Sequence, residues 1–261
     1  MHLDAVSDGV QQAVSGAIAR YGAIVLLGLS LSCKASPKPQ PGGPLAKSRQ
    51  LVVVRTADWS ATQGTLQRFD RARGQDAWHP VSAPIQVTVG NAGLAWGRGM
   101  HPEQSGTQKK EGDGKAPAGI FKLPSTFGYA EESPGNLPYT VATAELLCID
   151  DPASVRYNRM VRRSEIQFPD WKSSESMKRD DDQYRLGVLV EHNPEPTRSG
   201  AGSCIFLHAW KASGQPTVGC TAMEPASVVT LVRWLDWASE PALVQLPESE
   251  YARVREAWKL P

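Results

Sequence analysis

The sequence predicts a mainly β protein, in which short strands form a sandwich or closed sheet with a few short helices. The 261 residues include 23 glycines and 20 prolines, a modest excess over average usage. That excess favours a loop-rich β protein over a helical bundle. Short apolar or alternating runs recur with turn signals between them, and only two stretches have helical periodicity.

Length and charge limit the function classes. A chain of 28.3 kDa is typical of one domain preceded by a leader. The net charge of +1 gives no case for nucleic-acid binding, which requires a strongly basic face. Four cysteines are too few for a disulfide scaffold.

The first 35 residues are interpreted as an export signal. Arg20 precedes an apolar run at 23–31, and small residues follow it. The run is short for a membrane span, although a buried helix or a membrane anchor is the alternative. Cys33 ends a segment similar to a bacterial lipobox, with Ser30 where a large apolar residue is expected. Cleavage after Ala35, releasing a soluble protein, is the alternative to lipid anchoring.

A Pro- and Gly-rich linker is predicted at 36–50, followed by one domain at 51–261. Period-2 or β-branched patterns predict strands at 51–54, 64–71, 85–90, 94–97, 184–192, 203–208 and 243–246. A long polar loop is predicted at 99–115.

Two helices are predicted near the end of the chain. Pro225 lies in the first turn of one, and its apolar stripe consists of Val228, Val229, Val232, Trp234 and Leu235. A closing helix is predicted at 251–258. The N-terminus of the first helix follows Cys220 by a few residues, so its dipole is expected to lower the thiol pKa.

Two polar features are interpreted as structural. The aspartates at 180–182 lack the Gly and Glu of a calcium loop, so a solvated turn is favoured over a cation site. His192 ends a predicted strand without a defined partner, and we treat it as structural.

The clearest chemical pattern is a histidine that ends a buried strand, followed by a polar turn and a cysteine. His208 and Cys220 are these residues. A thiol of ordinary pKa is mostly protonated at neutral pH, and a nearby imidazole can accept its proton. Gly219 permits a tight turn, and the backbone amides of Gly219 and Cys220 are candidate oxyanion donors.

Spacing alone leaves other interpretations open. A single cysteine is usually a small buried hydrophobe, and a single histidine is usually structural. Cys204, His208 and Cys220 also have the chemistry of zinc ligands, although a tetrahedral site needs a fourth.

The segment Thr217-Val218-Gly219-Cys220, downstream of Phe206-Leu207-His208, resembles the active-site signature of YkuD-type L,D-transpeptidases. A second block at 112–121, GDGKAPAGIF, is similar to the family's G-D-x-x-T-P-x-G-x-F element. The resemblance extends over about residues 85–247. Many members have His at the position of Val218 and Arg or Asn after the cysteine, where this chain has Thr221. The loop from His208 to Cys220 is also shorter than in better-known members.

The resemblance implies a periplasmic or envelope L,D-transpeptidase that acts on peptidoglycan stem peptides and needs no cofactor. Cys220 would form a thioester, His208 would be the base, and the Ala209 carbonyl would orient the imidazole. The candidate residues of the substrate groove are Tyr157, Asn158, Trp210 and Thr217.

Two alternatives to transpeptidation stay open. The same acyl-enzyme could be hydrolysed, as in an L,D-carboxypeptidase or an amidase that releases wall-bound proteins. A non-catalytic wall-binding module is the other alternative. Cys148 and Cys204 could form a disulfide or remain two buried thiols.

Overall fold

The computed structural model describes residues 43–73 and 76–261. The predicted export signal, Cys33 and residues 36–42 of the predicted linker lie outside the described residues. The strands are β1 Gln50–Thr56, β2 Gln63–Asp70, β3 His79–Pro80, β4 Ile85–Thr88, β5 Leu94–Trp96, β6 Ala116–Lys122, β7 Thr126–Gly128, β8 Tyr139–Val141, β9 Leu146–Cys148, β10 Met160–Arg162, β11 Glu175–Ser176, β12 Leu186–Leu189, β13 Phe206–Ala209, β14 Thr221–Met223 and β15 Ala242–Pro247. The helices are α1 Pro225–Trp234 and α2 Glu248–Trp258, and two 3-10 turns span Arg163–Glu165 and Trp237–Ser239.

The predicted mainly β class is confirmed: 31% of the described residues are strand and 12% are helix. Twelve strands form one mixed sheet, in the order β5-β6-β15-β1-β2-β4-β14-β13-β12-β7-β8 with β3 paired to β2. A smaller sheet has the order β10-β9-β11. Within the large sheet, β13 and β14 are parallel neighbours, and this pairing brings the ends of the His208 and Cys220 segments together.

The core follows from the apolar faces of the long strands. β1 is almost entirely buried, because β2 and β15 flank it in the sheet and helix α2 packs nearby. Residues 43–50, which the sequence assigned to the linker, include buried Leu45 in the main core. The Arg71 guanidinium donates hydrogen bonds to the carbonyls of Leu45 and Ser48, which fixes this segment against β2.

The predicted α1 helix is present, with Pro225 as its first residue. Its buried side chains include Val228 and Val232, in agreement with the predicted stripe. α2 begins three residues earlier than predicted, at Glu248. None of the helices that the structure describes is long and apolar enough to span a membrane.

A disulfide joins Cys148 in β9 to Cys204 just before β13. The sequence left open whether these cysteines form a disulfide or remain two buried thiols, and the structure shows the disulfide. The bridge attaches the small sheet to the segment that leads into β13, across a sequence separation of 56 residues. Cys148, Cys204 and Cys220 all pack in a second hydrophobic cluster that also contains Phe127 and Phe206.

Replacing both Cys148 and Cys204 with Ser is expected to lower the free energy of unfolding by about 2 to 4 kcal/mol, because the unfolded chain loses a long covalent loop constraint. Urea unfolding of the wild type and of the double variant measures this difference. Ser176→Ala, on an exposed β11 position, is the control. An unchanged unfolding free energy would contradict a structural role for the bridge.

Candidate active site

Cys220 lies immediately before β14, at the end of the turn that begins with Thr217. The Phe206 N–H, in the neighbouring strand β13, donates to the Cys220 Sγ at 3.3 Å. The Cys204 carbonyl oxygen lies 3.6 Å from the same Sγ and accepts from the thiol. Only 6% of the Cys220 surface is exposed, and the sulfur is in contact with these two backbone groups.

Burial, together with the nearby Glu175 carboxylate, raises the pKa of the Cys220 thiol to about 12. The Phe206 N–H and the Tyr184 hydroxyl act in the opposite direction and lower it. The predicted lowering of the thiol pKa is wrong, because burial and Glu175 raise it. α1 begins five residues after Cys220, at Pro225, which corresponds to about 16 Å of extended chain. At neutral pH the resting residue is therefore the neutral thiol.

His208 is a buried residue of β13, and its Nδ1 lies 2.8 Å from the Ala209 carbonyl oxygen. Since a carbonyl only accepts, Nδ1 carries the proton and Nε2 is left as an acceptor. Burial lowers the His208 pKa to about 4. The imidazole is therefore neutral at physiological pH and has a free lone pair, as a general base requires.

The pairing of β13 and β14 fixes the relation between the two side chains. His208 is opposite Ala222 in this parallel register, so Cys220 lies two residues further back on the same face. Two residues of extended strand correspond to about 7 Å. No hydrogen bond joins His208 to Cys220 within residues 43–73 and 76–261. A side-chain rotation, or an intervening substrate atom or water, is needed for proton transfer between them.

The predicted oxyanion donors differ in availability. The Gly219 N–H donates to the Thr217 hydroxyl at 3.1 Å, and that hydroxyl donates to the Cys220 carbonyl at 2.6 Å. Thr217 thus holds the turn closed and occupies the Gly219 amide. The Cys220 N–H donates to no group in the described part of the chain, so it is the available oxyanion donor. Gly219 therefore contributes a donor only if the Thr217 bond opens.

Three of the predicted groove residues have internal roles. Tyr157 is buried, and its hydroxyl donates to Glu111 and accepts from the Gly202 N–H. The Asn158 side chain accepts from the Cys204 N–H at 3.0 Å and donates to the His192 carbonyl at 2.8 Å. Thr217, as described above, closes the nucleophile turn. These residues hold the loops around β13 and are not free to bind a substrate.

Trp210 and Val218, which are close in sequence to His208 and Cys220, are more accessible to solvent than those two residues. Trp210 follows β13, is half-buried, and donates its backbone N–H to the Met223 carbonyl. The Val218 side chain is 80% exposed although it stands two residues before Cys220. Both residues are therefore at the surface near Cys220 and His208.

His192 has the structural role that the sequence suggested. It is fully enclosed, and one ring nitrogen lies 2.9 Å from the Ala201 carbonyl while the other accepts from the Arg98 N–H. Burial lowers its pKa to about 3, so it stays neutral. The zinc alternative loses a ligand, because the Cys204 sulfur is bonded to Cys148.

A polar cluster that the sequence did not predict lies beside His208. We call it the polar wall, and it consists of Tyr184, Glu175, Arg179 and Asp181. The Tyr184 ring packs edge-to-face against the imidazole with 5.0 Å between centroids. Its hydroxyl donates to the Glu175 carboxylate at 2.6 Å. The Arg179 guanidinium lies 5.1 Å from the Tyr184 ring centroid and forms two hydrogen bonds with Asp181.

The sequence offered only a partial signal for this wall. The run of aspartates was interpreted as a solvated turn, which is correct, since Asp180, Asp181 and Asp182 are all exposed. Asp181 also pairs with Arg179 two residues earlier, an interaction that local spacing could have suggested. The approach of Glu175 and Tyr184 to the site depends on the small sheet and could not be found from spacing.

Comparison of the chain with protein-family models, with curated proteins and with solved structures found no match.

Proposed function

We propose that the protein is a cysteine-dependent L,D-transpeptidase that acts on peptidoglycan stem peptides. The observation that carries the proposal is that a buried Cys220 thiol and a neutral His208, whose Nδ1–H is held by the Ala209 carbonyl, lie on the same face of neighbouring strands. This arrangement leaves Nε2 ready to accept a proton on the face of the sheet that also presents the sulfur. The resemblance of the Thr217–Cys220 and 112–121 segments to the YkuD-type family supplies the substrate class.

In the proposed reaction, His208 takes the thiol proton as Cys220 attacks the carbonyl carbon that follows the L-centre of a diamino acid. The tetrahedral oxyanion receives a hydrogen bond from the Cys220 N–H. Collapse breaks the C–N bond, and His208 returns the proton to the leaving amino group of the terminal D-residue. An amine of a second stem then attacks the thioester, the thiol is regenerated, and a new amide is formed.

Hydrolysis of the same thioester, in the manner of an L,D-carboxypeptidase or an amidase, differs only in that water replaces the acceptor amine. Incorporation of an added D-amino acid into the product separates the two reactions. Transfer gives the exchanged peptide, whereas hydrolysis gives only the shortened stem.

A non-catalytic wall-binding module is the second candidate, and one observation favours it. The thiol pKa is raised to about 12 and the Gly219 amide is occupied, so the resting site is not that of an activated thiolate. A catalytic protein must therefore activate the thiol during substrate binding. A wall-binding module would leave Cys220 as unreactive as it is at rest.

We place the protein in the bacterial periplasm or cell envelope, with an anchor at Cys33 as part of the same proposal. The Cys148–Cys204 disulfide supports an oxidising compartment, because structural disulfides are rare in the cytosol. The net charge of +1 gives no support for a nucleic-acid partner.

The test is intact mass spectrometry of the purified protein after exposure to a carbapenem, whose strained amide acylates an activated cysteine. We expect a covalent adduct that maps to the peptide containing Thr217–Cys220, and its complete loss in Cys220→Ala. Peptide mapping distinguishes Cys220 from Cys33, and the remaining two cysteines are paired. No adduct, together with no hydrolysis or transfer of a stem tetrapeptide, would overturn the catalytic proposal in favour of the binding module.

A further inference from the structure

Glu175 is tied to the nucleophile through the small sheet. In the β11–β9 ladder Glu175 is opposite Cys148, and Cys148 is bonded to Cys204. The carbonyl of Cys204 accepts from the Cys220 thiol. One covalent bridge and two short contacts therefore hold β11 near the segment that contacts the sulfur, and the Glu175 carboxylate reaches the Tyr184 hydroxyl, whose ring packs on His208.

Only one oxygen of this carboxylate is engaged. Oε1 accepts from the Tyr184 hydroxyl at 2.6 Å and lies 3.5 Å from the Arg179 guanidinium. Oε2 accepts no hydrogen bond from any residue that the structure describes. The Glu175 side chain keeps 24% of its surface exposed although burial raises its pKa. The group is thus recessed, held in one orientation, and open on one side.

Glu175 and its neighbours Arg179 and Asp181 together carry a net negative charge. Arg179 gives its strongest contacts to Asp181, through hydrogen bonds of 2.9 and 2.6 Å, and reaches Glu175 only at 3.5 Å. Two carboxylates therefore share one guanidinium. In the resting protein this arrangement opposes thiolate formation, because Glu175 raises the pKa of Cys220. A cation delivered by the substrate would remove that opposition.

We infer that Glu175 binds a primary ammonium group of the substrate beside Cys220, so that substrate binding and thiol activation are coupled. This inference rests on the proposed acyl-transfer function and names the residue that selects its substrate. The ammonium comes either from the side chain of the diamino acid in the acyl donor or from the acceptor amine. An acceptor ammonium would pass one proton to the carboxylate before its nitrogen attacks the thioester.

The test compares the wild-type protein with Glu175→Gln, which keeps an acceptor for the Tyr184 hydroxyl but removes the charge. The donors are a synthetic tetrapeptide ending in L-Lys-D-Ala and the same peptide with its lysine side chain acetylated. Hydrolysis is measured without an acceptor, and transfer is measured with increasing concentrations of a D-amino acid. A penem without a basic group reports the intrinsic acylation of Cys220. Glu165→Gln, an exposed carboxylate on the turn after β10, is the matched control.

If the donor supplies the ammonium, we expect the wild type to prefer the free-amine peptide by about tenfold in kcat/KM, and Glu175→Gln to abolish this preference. If the acceptor supplies it, Glu175→Gln raises the KM for the acceptor about tenfold and affects hydrolysis of the free and acetylated donors equally. In both cases the penem without a basic group acylates Glu175→Gln at least as fast as the wild type, because that probe carries no ammonium and the carboxylate that opposes thiolate formation is gone.

Equal effects of Glu175→Gln on free and acetylated donors, with an unchanged acceptor KM, would overturn the inference while leaving the proposed function in place. A wild-type protein that turns over neither peptide and is not acylated by the penem would overturn the proposed function, and the inference with it. A preference that Glu165→Gln also removed would assign the effect to the overall charge of this face and not to Glu175.

Discussion

Replacing His208 with Gln is expected to slow the acylation of Cys220 by about 10²- to 10⁴-fold, the range over which a positioned general base contributes. The reason is the neutral thiol of the resting site, since its pKa of about 12 leaves almost no thiolate at pH 7. A proton acceptor is therefore needed during the attack, and His208 Nε2 has the free lone pair. A glutamine side chain fills similar space but accepts a proton too weakly to act as a base.

The measurement is the second-order rate of adduct formation with a carbapenem, followed by intact mass between pH 6 and 9. His79→Gln is the matched control, because His79 is an exposed residue of β3. A His208→Gln rate within about twofold of the wild type would show that Cys220 is deprotonated by another route.

The second large effect is a loss of stability in mild acid. His101, His192 and His208 are buried, and burial lowers their pKa values to about 4, 3 and 4 respectively. Between pH 6.5 and these values the unfolded chain binds protons that the folded chain excludes, so stability falls as the pH falls. Each histidine loses about 1.4 kcal/mol for each pH unit below 6.5, so the three together lose about 4 kcal/mol between pH 7.5 and 5.5.

Glu175 acts in the opposite direction. Burial raises its carboxyl pKa, so its contribution to stability is present at low pH and is lost as the pH rises. Urea unfolding at pH 7.5, 6.5 and 5.5 measures the net effect, and His79→Gln is expected to show the same slope as the wild type. An unfolding free energy that stays constant over this range would contradict neutral burial of the three histidines.

Much of the sheet was predictable from local pattern. The strands at 51–54, 64–71 and 85–90 are β1, β2 and β4 with shifts of a few residues, because alternation of apolar side chains directly reflects a half-buried strand. The predicted strand at 184–192 is shorter in the structure, where β12 spans Leu186–Leu189. Tyr184 leaves the strand to pack on His208, a tertiary contact that competes with the local preference.

The candidate site was predictable only in part. A histidine that ends a strand and a cysteine after a polar turn could be recognised from sequence, and β13 and β14 do place them on one face. The occupied Gly219 amide could not be recognised, since it depends on which way the Thr217 hydroxyl turns. The internal roles of Tyr157 and Asn158 were also hidden, because their partners at Glu111, Gly202 and Cys204 are about 45 residues away in the chain.

The sequence by itself determined the mainly β class, the α1 helix with its proline start, and the two residues on which the proposed chemistry depends. These features are local, because strand alternation, helix periodicity and residue type are all expressed within a few neighbouring positions. Only the tertiary structure decided that Cys204 pairs with Cys148, that burial keeps the Cys220 thiol protonated, and that Glu175 stands beside it. Those properties depend on which segments distant in the chain pack against each group. The spacing of residues along the sequence does not contain that information.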